Sequence, residues 1–170
     1  MINRMDPRLL KPYNPTATEE RIYQQWEQSG YFNPDQLPGE RREPFSIMLP
    51  PPNVTGTLHL GHAAMLVVED ILIRFERMRG KKVLWLPGTD SAAIATQAKV
   101  EDELYKTEKK TRHDLGREEL LRRIEIFTEA SKAIIINQLK KMGSSLDWSR
   151  YAYTLDEPRS RAVTEAFDRM

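Results

Sequence analysis

From Leu58 to Arg79 the apolar positions recur at helical spacing. Leu58, Met65, Leu66, Ile73 and Phe75 supply much of a wide apolar face, and Glu69, Arg74, Glu76 and Arg77 are expected outside it. Gly80 ends the pattern. A short apolar run lies on either side. Phe45-Ser46-Ile47-Met48-Leu49 stops at prolines, and Lys81-Lys82-Val83-Leu84-Trp85-Leu86 stops at Pro87-Gly88. Each run is too short for a helix and is expected to be a buried strand. Strand, helix, strand predicts a βαβ unit with its two strands parallel.

The flanking patterns are helical too. Thr16 and Glu19 match a capping box, followed by a short helix to Ser29 with Ile22 and Trp26 on its buried face. Residues 33–44 read as a polar loop. Two further helices are expected, near Ala92 to Lys106 and near Arg117 to Met142, the second stopped by Gly143. The sum is an α/β fold. Thr164 to Met170 still follow an amphipathic pattern and carry no stop signal, so a truncated sequence is expected.

Composition narrows the class. The chain has 170 residues, with 39% hydrophobic and 30% charged, which suits one globular domain with a core. Its 26 basic and 25 acidic residues nearly cancel, so contact with nucleic acid requires a local patch. Candidate clusters are Lys109-Lys110-Thr111-Arg112, Arg122-Arg123 and Lys140-Lys141. With no cysteine, disulfides and thiolate metal sites are excluded. No run approaches the roughly 18 apolar residues of a membrane span, and the first residues hold no signal-peptide run. A cytoplasmic protein without membrane contact is the expectation.

The chemistry concentrates in Pro50-Pro51-Pro52-Asn53-Val54-Thr55-Gly56-Thr57-Leu58-His59-Leu60-Gly61-His62. In a parallel sheet, ligands bind beyond the carboxyl ends of the strands. This loop follows the first strand, and Pro87-Gly88-Thr89-Asp90 follows the second. The first loop feeds a helix N-terminus, where free N–H groups and the dipole favour an anion. Gly61 admits a close approach to the backbone, and His59 and His62 share one face of the first turn. The pattern points to a nucleotide phosphate near His59 and His62. Two surface histidines would satisfy the same spacing. A metal site lacks ligands, since His113 is the only other histidine. The glycine fingerprints of dinucleotide and P-loop folds are absent.

His59-Leu60-Gly61-His62 resembles the His-x-Gly-His motif of class I aminoacyl-tRNA synthetases. The preceding Pro-Pro-Pro-Asn-Val-Thr-Gly resembles the valyl members in particular, as do Gly88-Thr89-Asp90 and Ile94-Ala95-Thr96-Gln97. Weaker similarity runs through Lys110 to Glu118, Asp147-Trp148-Ser149-Arg150, Thr154-Leu155-Asp156-Glu157, and the lead-in Tyr13-Asn14-Pro15, Trp26, Gly30 and Phe32. The resemblance covers nearly the whole chain.

It implies a Rossmann-like nucleotide-binding fold, of which this sequence is the first half. A helix and lead-in loop over 1–44 would precede a catalytic half-domain over 45–145. Residues 146–170 would lead toward an inserted editing domain that this sequence does not contain. The implied activity is ATP-dependent activation of valine and its transfer to tRNA(Val), with magnesium accompanying ATP and a monomeric parent protein. His59 and His62 would act catalytically on the ATP phosphates, with Gly61 completing the ATP site. Pro51 and Asn53 would wall the valine side chain, and Asp90 would pair with its ammonium. An isolated fragment would be a poor enzyme.

The sequence departs from the family pattern Gly-Thr-Asp-His-Ala-Gly-Ile at two positions. Ser91 stands for the histidine and Ala93 for the second glycine. A truncated, non-catalytic paralogue that binds nucleotide or RNA is the alternative function. A helical interaction protein, with the motif residues only packing, is a third.

Overall fold

Helix α1 (Pro15–Gln28) begins where Asn14 accepts a hydrogen bond from the Ala17 N–H at 3.2 Å. The computed structural model describes residue 6 and residues 12–170; the other residues of the lead-in lie outside the described residues. The expected Thr16–Glu19 box does not start the helix. Pro15 has no N–H to satisfy and a φ already suited to a first turn, so it takes that position. The side chain that α1 buries is Tyr23, whereas Trp26 stays 39% exposed and Ile22 half-buried.

Strand β1 (Pro44–Met48), helix α2 (Leu60–Met78) and strand β2 (Lys82–Leu86) form the expected βαβ unit. β1 and β2 are parallel, in register from Pro44 opposite Lys82 to Met48 opposite Leu86. A two-residue strand β3 (Gly88–Thr89) then extends the line of β2. Helices α3 (Ala93–Glu108), α4 (Arg112–Leu115) and α5 (Arg117–Lys141) follow. The chain returns through a 3-10 turn at Trp148–Arg150 into β4 (Ala152–Tyr153), which pairs parallel with β3, and ends in α6 (Glu157–Arg169). The sequence pattern did not disclose α4, β3 or β4, each too short to carry a period.

The core joins Leu66 and Ile73 of α2, Val83 and Trp85 of β2, Ile135 and Leu139 of α5, and Leu49, Val54 and Leu146 from the connections. β2 is buried as expected, but β1 is not. Phe45 and Ile47 are half-buried, while Ser46 and Met48 on the opposite face are exposed. Among the described residues, only β2 pairs with β1, so its other edge is open.

α2 is also turned differently from its pattern. Phe75 is 50% exposed, with Val67, Val68, Ile71, Leu72 and Met78 also exposed. The polar residues expected outside instead engage the molecule. Glu69 accepts from the Trp85 indole N–H at 2.9 Å. Arg74 binds Asp70 and the Gly143 carbonyl, and Arg77 binds the Ser145 hydroxyl. Burial, then the Arg74 charge, push the Arg77 guanidinium down to about 10. The helix carries more apolar surface than one sheet face covers, and the turn at 143–147 supplies partners for the polar stripe.

Candidate active site at the ends of the parallel strands

The loop after β1 and the loop after β2 are stitched together. The Asp90 N–H donates to the Pro52 carbonyl at 2.8 Å, and the Val54 N–H donates to the Asp90 carbonyl at 2.9 Å. Asn53 and Asp90 form an isolated parallel bridge between these bonds. Val54 is fully buried and anchors the loop from below. Pro51 lies close behind, half-buried against Gly88: a Cβ on Gly88 would sit 3.7 Å from the Pro51 Cβ and 3.2 Å from the Ala152 carbonyl oxygen. Pro51 and Asn53 of the first loop and Asp90 of the second therefore share one end of the sheet. Of the three, Pro51 lines a small cleft of about 110 Å³, together with Met48, Thr89 and Thr154; Asn53 and Asp90 are outside its lining.

The same loop delivers the histidines to the start of α2. His59 is the N-cap, and its Nδ1 accepts from the Gly61 N–H at 3.1 Å. His62 reaches back, and its Nδ1 accepts from the His59 N–H at 3.2 Å. The rings lie 3.9 Å apart. Each Nδ1 is thus an acceptor, so each neutral ring carries its proton on Nε2 and presents a donor away from the backbone. Burial, then the nearby His59, hold the His62 imidazole below its usual range, which favours this neutral form. Gly61 has a steric reason: a Cβ there would lie 2.9 Å from the His59 ring. The group that approaches the backbone closely is the motif's own histidine. The Leu58 N–H donates to Gln138 of α5 at 2.8 Å and fixes the loop's exit. Sequence reading did not find Gln138, because its partner lies 80 positions away.

Asp90 is not the cap of α3. That position is Ala92, at φ 51°, without a side-chain cap. The Asp90 carboxylate instead accepts from the Thr154 hydroxyl at 2.7 Å. Among the described residues no three His, Asp or Glu side chains converge as a metal cage. Nε2–H donors suit phosphate oxygens, whereas magnesium is a hard ion that prefers oxygen ligands. A larger cavity of about 380 Å³, between α3 and α5, contains none of these residues; Arg112, His113 and Arg117 line it.

Among the described residues, most of the basic clusters' charges are paired with acids. Arg122 pairs with Glu119, Arg123 with Glu119 and Glu108, Lys110 with Glu108, and Lys140 with Glu27. No helix among the described residues is long and apolar enough to cross a membrane.

Residues 21–170 match the family described as tRNA synthetases class I (I, L, M and V). The chain belongs to this family. The valine–tRNA ligase of Brucella suis is 48% identical over 159 residues, covering 94% of this chain and 18% of that protein. That of Prochlorococcus marinus is 50% identical over 162 residues, covering 95% and 17%. Valine–tRNA ligase, mitochondrial 1, of Arabidopsis thaliana is 46% identical over 167 residues, covering 98% and 15%. The chain therefore spans less than a fifth of the length of these class I relatives. Its fold is similar to that of Agrobacterium radiobacter LeuRS, solved as a ternary complex with tRNA and LeuAMS. That likeness has a TM-score of 0.71 at 20% identity, over 92% of this chain and 18% of the other.

Proposed function

We propose that this chain carries the first half of the aminoacylation site of a valine–tRNA ligase, acting in the cytoplasm on valine, ATP and tRNA(Val). The observation that supports this most is the stitching of the two post-strand loops. It sets a carboxylate and a small walled cleft on the same sheet end as a helix N-terminus bearing two imidazole donors. In this reading Asp90 holds the valine ammonium, and Pro51 and Asn53 bound its branched side chain. A prefixed wall suits that group because little entropy is lost on binding.

The valine carboxylate attacks the α-phosphorus of ATP, forming a new O–P bond as the bond to pyrophosphate breaks. Negative charge moves onto the phosphate oxygens in that transition state. His59 and His62, as Nε2–H donors at the positive end of α2, stabilise it without passing through a covalent intermediate. The adenylate then passes valine to the terminal ribose of tRNA. Magnesium travels with the ATP phosphates and takes no ligand from these residues. The open edge of β1 and the uncovered face of α2 are where the remainder of a relative-sized polypeptide would pack.

The test is valine-dependent ATP–pyrophosphate exchange. The chain is joined to the remaining portion of the Brucella suis ligase, in place of its matching segment. Exchange is expected, with Asp90→Asn weakening it through loss of a charge-assisted bond of about 1.5–3 kcal/mol. His59→Ala or His62→Ala should lower turnover by about 100-fold or more while leaving valine affinity nearly unchanged. A folded hybrid without exchange, or histidine variants that lose affinity and keep turnover, would refute the assignment.

A further inference from the structure

Thr154 stands outside the motif loops, yet its side chain reaches the centre of the site. Its hydroxyl donates to Asp90 Oδ1 at 2.7 Å and accepts from the Ser91 N–H at 2.8 Å. A hydroxyl has one proton. Because the Ser91 N–H occupies an acceptor position, that proton is directed to the carboxylate. Asp90 is thus held on two sides: its backbone by Pro52 and Val54, its carboxylate by Thr154. Among the described residues Asp90 Oδ2 accepts no hydrogen bond, so one carboxylate oxygen is oriented and the other left to a cation.

Thr154 is itself firmly placed. It follows β4, and its N–H donates to the Thr89 carbonyl at 3.1 Å, continuing the β3–β4 pairing. The Tyr151 hydroxyl meets the buried Thr89 hydroxyl at 2.5 Å. At the residue just before Thr154, the Lys132 ammonium sits 3.5 Å from the centre of the Tyr153 ring. Beyond Thr154 the chain turns at Asp156, whose carboxylate accepts from the Tyr153 and Arg159 N–H groups, both at 3.1 Å. The hydroxyl is therefore carried by a pinned turn between β4 and α6.

We propose that Thr154 is a positioning residue, setting the Asp90 carboxylate to receive the ammonium group of the amino-acid substrate. This rests on the reading of Asp90 as the ammonium partner. Thr154 touches no reacting atom; it acts through Asp90. A positioned carboxylate forms its ion pair without first losing side-chain freedom, which is the gain that preorganisation brings.

The test uses the same hybrid ligase, titrated with valine and, separately, with 3-methylbutanoate, which keeps the side chain and carboxylate but lacks the amine. Calorimetric dissociation constants are the readout. Thr154→Val, of equal shape without the hydroxyl, is expected to weaken valine about fivefold, the scale of one orienting hydrogen bond. The amine-free acid should bind the variant and the parent alike. Thr154→Ser, which keeps both hydrogen bonds, should restore valine binding. If Thr154→Val weakens both ligands equally, or neither, the positioning role is overturned. Asp90→Asn separates the two claims. If Asp90→Asn leaves valine binding unchanged, or the folded parent hybrid shows no valine response, the ammonium reading itself fails and this inference falls with it. If Asp90→Asn abolishes the response while Thr154→Val does not change it, only Thr154 is misassigned.

Discussion

Ala92 and Ala93 take φ values of 51° and 26°, a region that the Cβ of an L-residue disfavours. Position 93 is where the family pattern places glycine. The chain takes this conformation with alanine and accepts the strain, holding it partly through the Thr96 hydroxyl, which donates to the Ser91 carbonyl. Ala93→Gly should therefore stabilise the fold. Relief of about 1–2 kcal/mol is partly offset by the greater freedom of glycine in the unfolded chain, about 0.4–1 kcal/mol. Thermal unfolding should show a midpoint about 1–3 °C higher; a lower midpoint would mean that the alanine conformation is unstrained. Neither departure from the family pattern, at Ser91 or at Ala93, displaces Asp90, because its contacts come from Pro52, Val54 and Thr154.

At the scale of elements, α1 is held to the rest of the chain through Tyr23. Its hydroxyl donates to the Ser144 carbonyl at 2.9 Å and accepts from the Trp148 indole N–H at 2.7 Å. Burial pushes this phenol up to about 12, against the smaller opposing effect of the Trp148 bond. The sign follows from linkage. Because the folded value lies above the unfolded value of 10.0, the contribution of Tyr23 is complete below pH 10. It is lost as pH rises from there through about 12. Tyr23→Phe should cost about 1–3 kcal/mol at pH 7, since it leaves the Trp148 N–H without its acceptor. It should also flatten the loss of stability in this alkaline window. Denaturant melts of both proteins at pH 8 and pH 11 measure this; parallel losses would show that the phenol does not link the two.

For the molecule as a whole, the unusual surface is α2. Val67, Val68, Ile71, Leu72, Phe75 and Met78 form an exposed apolar stripe, with Met48 of β1 also 68% exposed. A contiguous apolar patch of this kind favours association. The isolated chain should self-associate as its concentration rises. The triple variant Val68→Lys, Ile71→Lys, Leu72→Lys should remain monomeric in sedimentation equilibrium, with an unfolding midpoint close to that of the parent. A monomeric parent at high concentration, or a variant that unfolds, would show that the stripe is not an open surface.

What the sequence determined by itself is what short-range periodicity and local chemistry can carry. The βαβ unit, the parallel strands, the span of α5 and the meeting of His59 and His62 at the start of α2 all follow from spacing within an element or between neighbouring ones. The Pro51, Asn53 and Asp90 loops belong to the same class, because the ends of parallel strands collect on one side. Only the tertiary structure decided which face of α2 is covered. Amphipathicity says how much apolar surface exists, not which neighbours reach it, and Glu69, Arg74 and Arg77 found partners from β2 and the turn at 143–147. It alone decided the partners of Asp90 as well. Thr154 lies 64 residues away, just past a two-residue strand with no pattern of its own. The pairing of β3 with β4 brings it to the carboxylate; the family resemblance at Thr154 to Glu157 marks the segment, but no local spacing could announce that contact.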